Sequence, residues 1–107
     1  MPENQLRTPE VDNLLEVLAE LDDKDTIFAL LEDLFTVREI RETSQRLEVA
    51  RMLNAKKPYT VIEEATGASA TTIARVSKCL SYGAGGYAAA LRVLGDTAPE
   101  KSAADKA

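Results

Sequence analysis

No histidine occurs in this chain of 107 residues, and there is one cysteine. Without an imidazole the usual proton shuttle of acid–base and nucleophilic catalysis is missing. The carboxylates and lysines that remain read as solvated, so no catalytic constellation emerges and the chain is read as a non-enzyme. The same two absences remove a disulfide framework within the monomer and any structural zinc site. Aromatic residues make up 5% of the chain, and alternating β-branched residues are scarce, so no strand is expected. No apolar run approaches the ~20 residues that a membrane-spanning helix needs. The opening MPENQLRTPE lacks the charged-then-apolar order of a signal peptide, so a cytoplasmic protein is expected. Gly83-Ala84-Gly85-Gly86 has neither the spacing nor the flanking lysine of a phosphate-cradling loop. No metal and no cofactor are expected.

What is present points to helices. The composition is 45% hydrophobic, rich in Leu and Ala, as in an all-α protein. The length suits one helical domain at 8–95, between a frayed N-terminus at 1–7 and a disordered tail at 96–107. A small helical chain of this kind leaves apolar surface in need of cover, so a homodimer is expected. Taken whole, the net charge of −5 opposes a nucleic-acid partner. Its distribution reverses that impression: residues 1–35 hold two cations against ten carboxylates, residues 36–82 hold eight against five, and residues 83–107 hold three of each. The basic charge lies in the middle of the chain.

Thr8-Pro9-Glu10 is a strong helix start, and Val11, Leu14, Leu15, Leu18 and Leu21 follow as an apolar stripe. Asp22-Asp23-Lys24-Asp25 interrupts it and caps a second helix over Thr26 to Phe35. Thr36-Val37-Arg38-Glu39 is a capping box that opens the longest helix, expected to run to about Lys57 with Val37, Ile40, Leu47, Ala50 and Leu53 inward. Arg38, Arg41, Arg46, Arg51, Lys56 and Lys57 make it the most cationic element, with Glu39, Glu42 and Glu48 placed for local pairing. A last short helix spans Tyr87 to Leu94 and stops at Gly95.

Between these lies PYTVIEEATGASATTIARVSKCLSY, which reads as a helix-turn-helix at about 60–82. Thr60 and Glu63 form a candidate capping box, Gly67 stops the first helix, and Ser69 starts the second. At 100° per residue Ile73, Val76 and Leu80 share one side of that second helix. Thr71, Ala74, Arg75, Lys78 and Tyr82 share the other. The second set offers two cations, a hydroxyl, a methyl and a phenol, and no carboxylate, the chemistry that meets phosphates and base edges. Cys79 falls beside the packed side and is read as a small, semi-buried residue.

From Thr36 through Leu94 the chain resembles the Trp repressor superfamily, most closely its Trp-repressor-like branch of bacterial proteins. The residues that carry the resemblance are QRLEVARML (Gln45 to Leu53), YTVIEEATGASATTIARVSKCL (Tyr59 to Leu80) and Tyr82-Gly83. It implies an all-α fold of about six helices in an intertwined homodimer whose two helix-turn-helices read successive major grooves of double-stranded DNA. It implies DNA contacts by Ser69, Ala70, Thr71, Ala74, Arg75 and Lys78, and a repressor's role in transcription regulation. In the archetype L-tryptophan binds through two arginines that match Arg46 and Arg75 and a threonine that matches Thr36. There a glycine follows the second arginine; here Val76 stands in that place and fills space the indole needs. The effector pocket at Thr36, Arg46, Arg75 and Val76 is therefore read as one for another small molecule or for none. Glu63 and Glu64, on the first helix of the hairpin, weaken a phosphate-facing surface and imply a low salt slope. A second reading takes the protein as a helical adaptor, docking its hairpin or the acidic face of residues 10–33 on a protein partner.

Overall fold

A computed structural model describes residues 5–96. They form six helices, α1 (Pro9–Glu20), α2 (Lys24–Leu34), α3 (Val37–Asn54), α4 (Tyr59–Thr66), α5 (Ala70–Tyr82) and α6 (Gly86–Val93), and no strand. Residues 1–4 of the expected frayed N-terminus and residues 97–107 of the expected tail lie outside the described residues. The chain divides into two compact units with the boundary inside α3, one ending at Ile40 and the other beginning at Arg41. No helix among the described residues is long and apolar enough to cross a membrane.

Local chemistry accounts for the helix starts of the first unit. The Thr8 hydroxyl accepts from the Val11 amide at 3.2 Å, with Pro9 preset in helical φ behind it. Asp23 caps α2 by accepting from both the hydroxyl and the amide of Thr26, at 2.8 and 2.9 Å. Those two bonds, the hydroxyl first, hold its carboxyl below the ordinary aspartate value. The Thr36–Glu39 box closes in both directions: the Glu39 amide donates to Thr36 Oγ1 at 3.0 Å, and the Thr36 amide donates to Glu39 Oε1 at 2.9 Å. No residue of α1 or α2 is buried, and Leu14, Leu15, Val17, Phe28, Leu34, Phe35 and Val37 are all substantially exposed.

The second unit has a core. Val49 and Ala50 of α3, Ile62 of α4, Ala68 of the turn, and Ile73 and Val76 of α5 are buried together. Met52, Leu53, Leu80 and Tyr87 pack against their edge. Leu91 of α6 is also fully buried. Arg51 on the outer side of α3 donates from Nε to Asp96 at 2.8 Å and lies 3.2 Å from Glu48. The Asp96 bond and charge, then those of Glu48, raise the guanidinium's already high affinity for its proton.

Four details differ from the sequence reading. Val37 points to solvent with 66% of its surface exposed, and Val49 takes the inward place instead. Cys79 is exposed rather than semi-buried. Thr60 does not cap α4: Pro58 is the N-cap residue, its hydrocarbon ring has no acceptor for a side-chain cap, and the helix begins at once with Tyr59. Finally, α3 ends at Asn54, short of Lys57. There Lys57 N–H reaches the Met52 carbonyl at 3.0 Å and Lys56 N–H reaches that of Leu53 at 2.9 Å, with Lys56 left-handed at φ 65°. This is a Schellman stop.

The end of α6 uses the same pair of bonds, Asp96 N–H to Leu91 and Gly95 N–H to Arg92, with a glycine at φ 85° in the left-handed place. Lys56 thus holds a position that glycine takes without strain, at a cost of about 1–2 kcal/mol for a residue with a Cβ. After subtracting the extra entropy of glycine in the unfolded chain, Lys56→Gly is expected to stabilise the protein by about 0.5–1 kcal/mol. Urea unfolding checks this. A lower midpoint for the glycine variant would mean that the lysine side chain supplies a compensating contact.

Candidate nucleic-acid interface

The helix-turn-helix is α4, the turn Gly67–Ser69, and α5. Gly67 lies at φ 77°, and its amide closes α4 on the Glu63 carbonyl at 2.8 Å. Thr66 folds its hydroxyl back onto the Ile62 carbonyl at 2.7 Å, and the same oxygen accepts from the Ala68 amide at 3.1 Å. Ser69 then caps α5, accepting from the Thr72 amide at 3.1 Å and donating to the Thr72 hydroxyl. Ala68, buried between the two helices, leaves no room for a larger side chain at the bend. Sequence chemistry thus sets each step: a small polar helix end, a glycine stop, a buried methyl and a serine start.

The turn presents α5 as a two-sided rod. Ile73 and Val76 are fully buried and Leu80 half-buried, so one side is fixed to the core. Ala70, Thr71, Ala74, Arg75 and Lys78 are all exposed, and at 100° per residue they fall within an arc of about 140° opposite that anchored side. Ser69 is exposed at the rod's start, where its hydroxyl is already engaged as the cap. Tyr82 continues the outer stripe at the far end and is 85% exposed.

Electrostatics favour the outer side. Among the described residues Arg75 and Lys78 make no ion pair, and neither do Lys56 and Lys57 at the α3–α4 turn. Arg51, by contrast, is held between Glu48 and Asp96. The cations on α5 therefore stay available to an anion, while part of α3's charge is neutralised in place. Glu63 and Glu64 are exposed on α4 and offset some of this positive field.

The four residues expected around an effector fare differently. Arg46 is half-buried on α3 and Arg75 is exposed on α5, both in the second unit. Val76 is 1% exposed within the core cluster, on the anchored side of α5. Thr36 belongs to the first unit, where its hydroxyl is the cap of α3. No group of three or more His, Cys, Asp or Glu among the described residues is placed to hold a metal ion.

One residue with a clear structural part escaped the sequence reading. The side-chain amide of Gln45 donates to the Thr66 carbonyl at 3.0 Å, so α3 reaches the last residue of α4, next to the turn. A polar residue in the middle of a charged helix carries no signal of such a bond, since its partner lies 21 positions away. Beside it runs an open groove of about 420 Å³ lined by Arg41, Ser44, Gln45, Glu48, Ala65 and Thr66.

Comparison with known proteins places this geometry among relatives. Residues 9–94 match the profile of the Trp repressor protein family. The chain is 42% identical over 99 residues to the uncharacterised protein YerC of Bacillus subtilis (strain 168), covering 92% of this chain and 95% of that protein. Among solved structures it is similar to a TrpR-like protein from Eubacterium eligens ATCC 27750, at TM-score 0.83 and 40% identity, over 91% of this chain and all of the other. A candidate Trp repressor from Staphylococcus aureus superposes at TM-score 0.83 with 33% identity, over 92% of this chain and 99% of the other. With six helices and TrpR-like structures matching over nearly its whole length, the chain belongs to the Trp repressor family, within its Trp-repressor-like branch.

Proposed function

We propose that this protein is a sequence-specific DNA-binding repressor that acts in the cytoplasm as a homodimer and reads the major groove with α5. The observation that carries the reading is the split of α5: Ile73 and Val76 are sealed in the core while Ala70, Thr71, Ala74, Arg75 and Lys78 stand exposed opposite them. Arg75 and Lys78 would bind phosphate, and the methyl groups of Ala70, Thr71 and Ala74 would meet base edges, with Ser69 at the entry to the groove. With few long polar side chains in this set, DNA shape and bridging water carry much of the preference.

The homodimer follows from the first unit. Helices of 12 and 11 residues are marginal on their own in water. With no buried residue between them, α1 and α2 need cover for Leu14, Leu15, Phe28, Leu34 and Phe35. A second copy supplies the same apolar stripes in a closed, symmetric arrangement. The two reading helices would then address half-sites about one helical turn, 10–10.5 bp, apart.

A buried Val76, where the archetype has glycine, supports a reading of binding without tryptophan. Selection from a random duplex pool is expected to enrich a near-palindromic sequence, and the same one with or without tryptophan. A pool that returns no enriched sequence, together with capture of one stoichiometric protein partner, would replace this reading by the adaptor. Enrichment that depends on tryptophan would overturn only the effector-free part.

A further inference from the structure

The turn of the helix-turn-helix is tied to itself by the Thr66 hydroxyl, the Gly67 amide and the Ser69 cap, but these local bonds do not fix its direction relative to α3. Gln45 does. Its half-buried amide donates to the Thr66 carbonyl at 3.0 Å, a carbonyl at the end of α4 with no acceptor's role left inside the helix. Around that bond α3 and α4 are separated by the open groove of Arg41, Ser44, Glu48 and Ala65, so a directional hydrogen bond stands where apolar packing is thin.

We propose that Gln45 is a positioning residue for DNA reading, setting through Thr66 the angle at which α5 leaves the turn. The proposal rests on the DNA-reading role of α5 argued above. Ile73 and Val76 hold α5 down, yet apolar packing is non-directional and resists sliding and rocking less than separation. Lys78 lies nine residues beyond Ser69, about 13 Å along the axis at 1.5 Å per residue, so a tilt of about 10° moves it by about 2 Å. That shift exceeds the tolerance of a hydrogen bond to a base edge or phosphate. It leaves the long-range attraction between the cations and the duplex nearly unchanged. Loss of Gln45's bond should therefore cost discrimination before it costs non-specific binding.

Gln45→Met keeps the length and helix propensity and removes the donor, while Gln45→Lys restores a donor of sufficient reach. In the full-length protein, Gln45→Met is expected to speed amide exchange at Gly67 and Ala68 by about tenfold relative to Val49 and Ala50. It is expected to lower the affinity ratio between selected and scrambled duplexes by about tenfold, with the scrambled duplex bound as before. Gln45→Lys should restore the slow exchange. A Met variant with unchanged exchange, or with fast exchange and full discrimination, would overturn the proposal. So would equal losses on both duplexes that track the thermal midpoint, since that pattern marks a merely structural role. If the wild type itself prefers no duplex, the DNA reading fails and this role with it; the two failures are told apart because the variant is not needed to see the first.

Discussion

Truncating Ile73 to alanine is expected to destabilise the protein by about 3–4 kcal/mol, the usual cost of removing a buried Ile side chain and leaving its cavity. Ile73 is fully buried, and its neighbours Val49, Ala50, Ile62, Ala68 and Val76 come from three helices and the turn. With helices on several sides, no single shift can close the void, which argues for the upper part of that range. Alanine's better helix propensity returns only about 0.4 kcal/mol. Against a typical total stability of about 5–15 kcal/mol, the loss would lower the thermal midpoint by about 15 °C or more. Denaturation must be compared at one protomer concentration, because a dimer's midpoint moves with it. A loss under about 1 kcal/mol would mean that this cluster is not the true centre of the second unit.

The same residue shows how much of the fold could be read from the chain. Ile73, Val76 and Leu80 at helical spacing announced the buried side of α5, and the Gly67–Ser69 signal placed the turn within a residue. The Thr36–Glu39 box was legible because both halves of a capping box lie within one turn of helix and need nothing else. The errors arose where a stronger local constraint overrode a familiar pattern. Thr60 and Glu63 spell a capping box, yet Pro58 two residues earlier starts α4 before Thr60 can cap it. Pro58 also explains the early end of α3, since the residue before a proline is driven out of helical geometry, and Lys57 occupies that place. Val37 and Val49 could not be sorted by period alone, because α3 is a long helix whose apolar positions do not form a single stripe. Burial there depends on which helices lie alongside, and the second unit covers only the later part. Gln45 was illegible for a different reason: a long-range side-chain bond leaves no periodic trace.

The geometry of the candidate site was partly legible. Five of the six residues expected on DNA, Ala70, Thr71, Ala74, Arg75 and Lys78, share one exposed side of α5, and the sixth, Ser69, is the cap at its start. What the chain alone did not reveal is which cations are already engaged. Glu48 is legible as a local partner for the cations of α3, but Asp96, which holds Arg51 from the other side, is not. Asp96 is 45 residues away from Arg51 in sequence, so spacing could not have paired them.

That distinction decides the largest functional effect. The double substitution Arg75→Ala with Lys78→Ala is expected to abolish measurable operator binding while helicity and the oligomeric state stay as they are. Both side chains are exposed and make no ion pair among the described residues, so their removal breaks nothing in the fold. In a homodimer the change deletes four cations from the interface. At about 1.5 kcal/mol for each charge-assisted contact, the low end of the usual range, the loss is about 6 kcal/mol, or about 10⁴-fold in affinity. Four phosphate contacts also correspond to a slope of about −3.6 in log affinity against log salt, which should collapse toward zero in the variant. The control is Arg51→Ala, whose partners already neutralise it; it should leave both affinity and slope within a small factor of wild type. Titrating a selected duplex by fluorescence anisotropy across a salt series measures all of these. Equal losses for the Arg51 variant would show that overall charge, and not the outer side of α5, governs binding, and unchanged binding for the double variant would take DNA off this helix altogether.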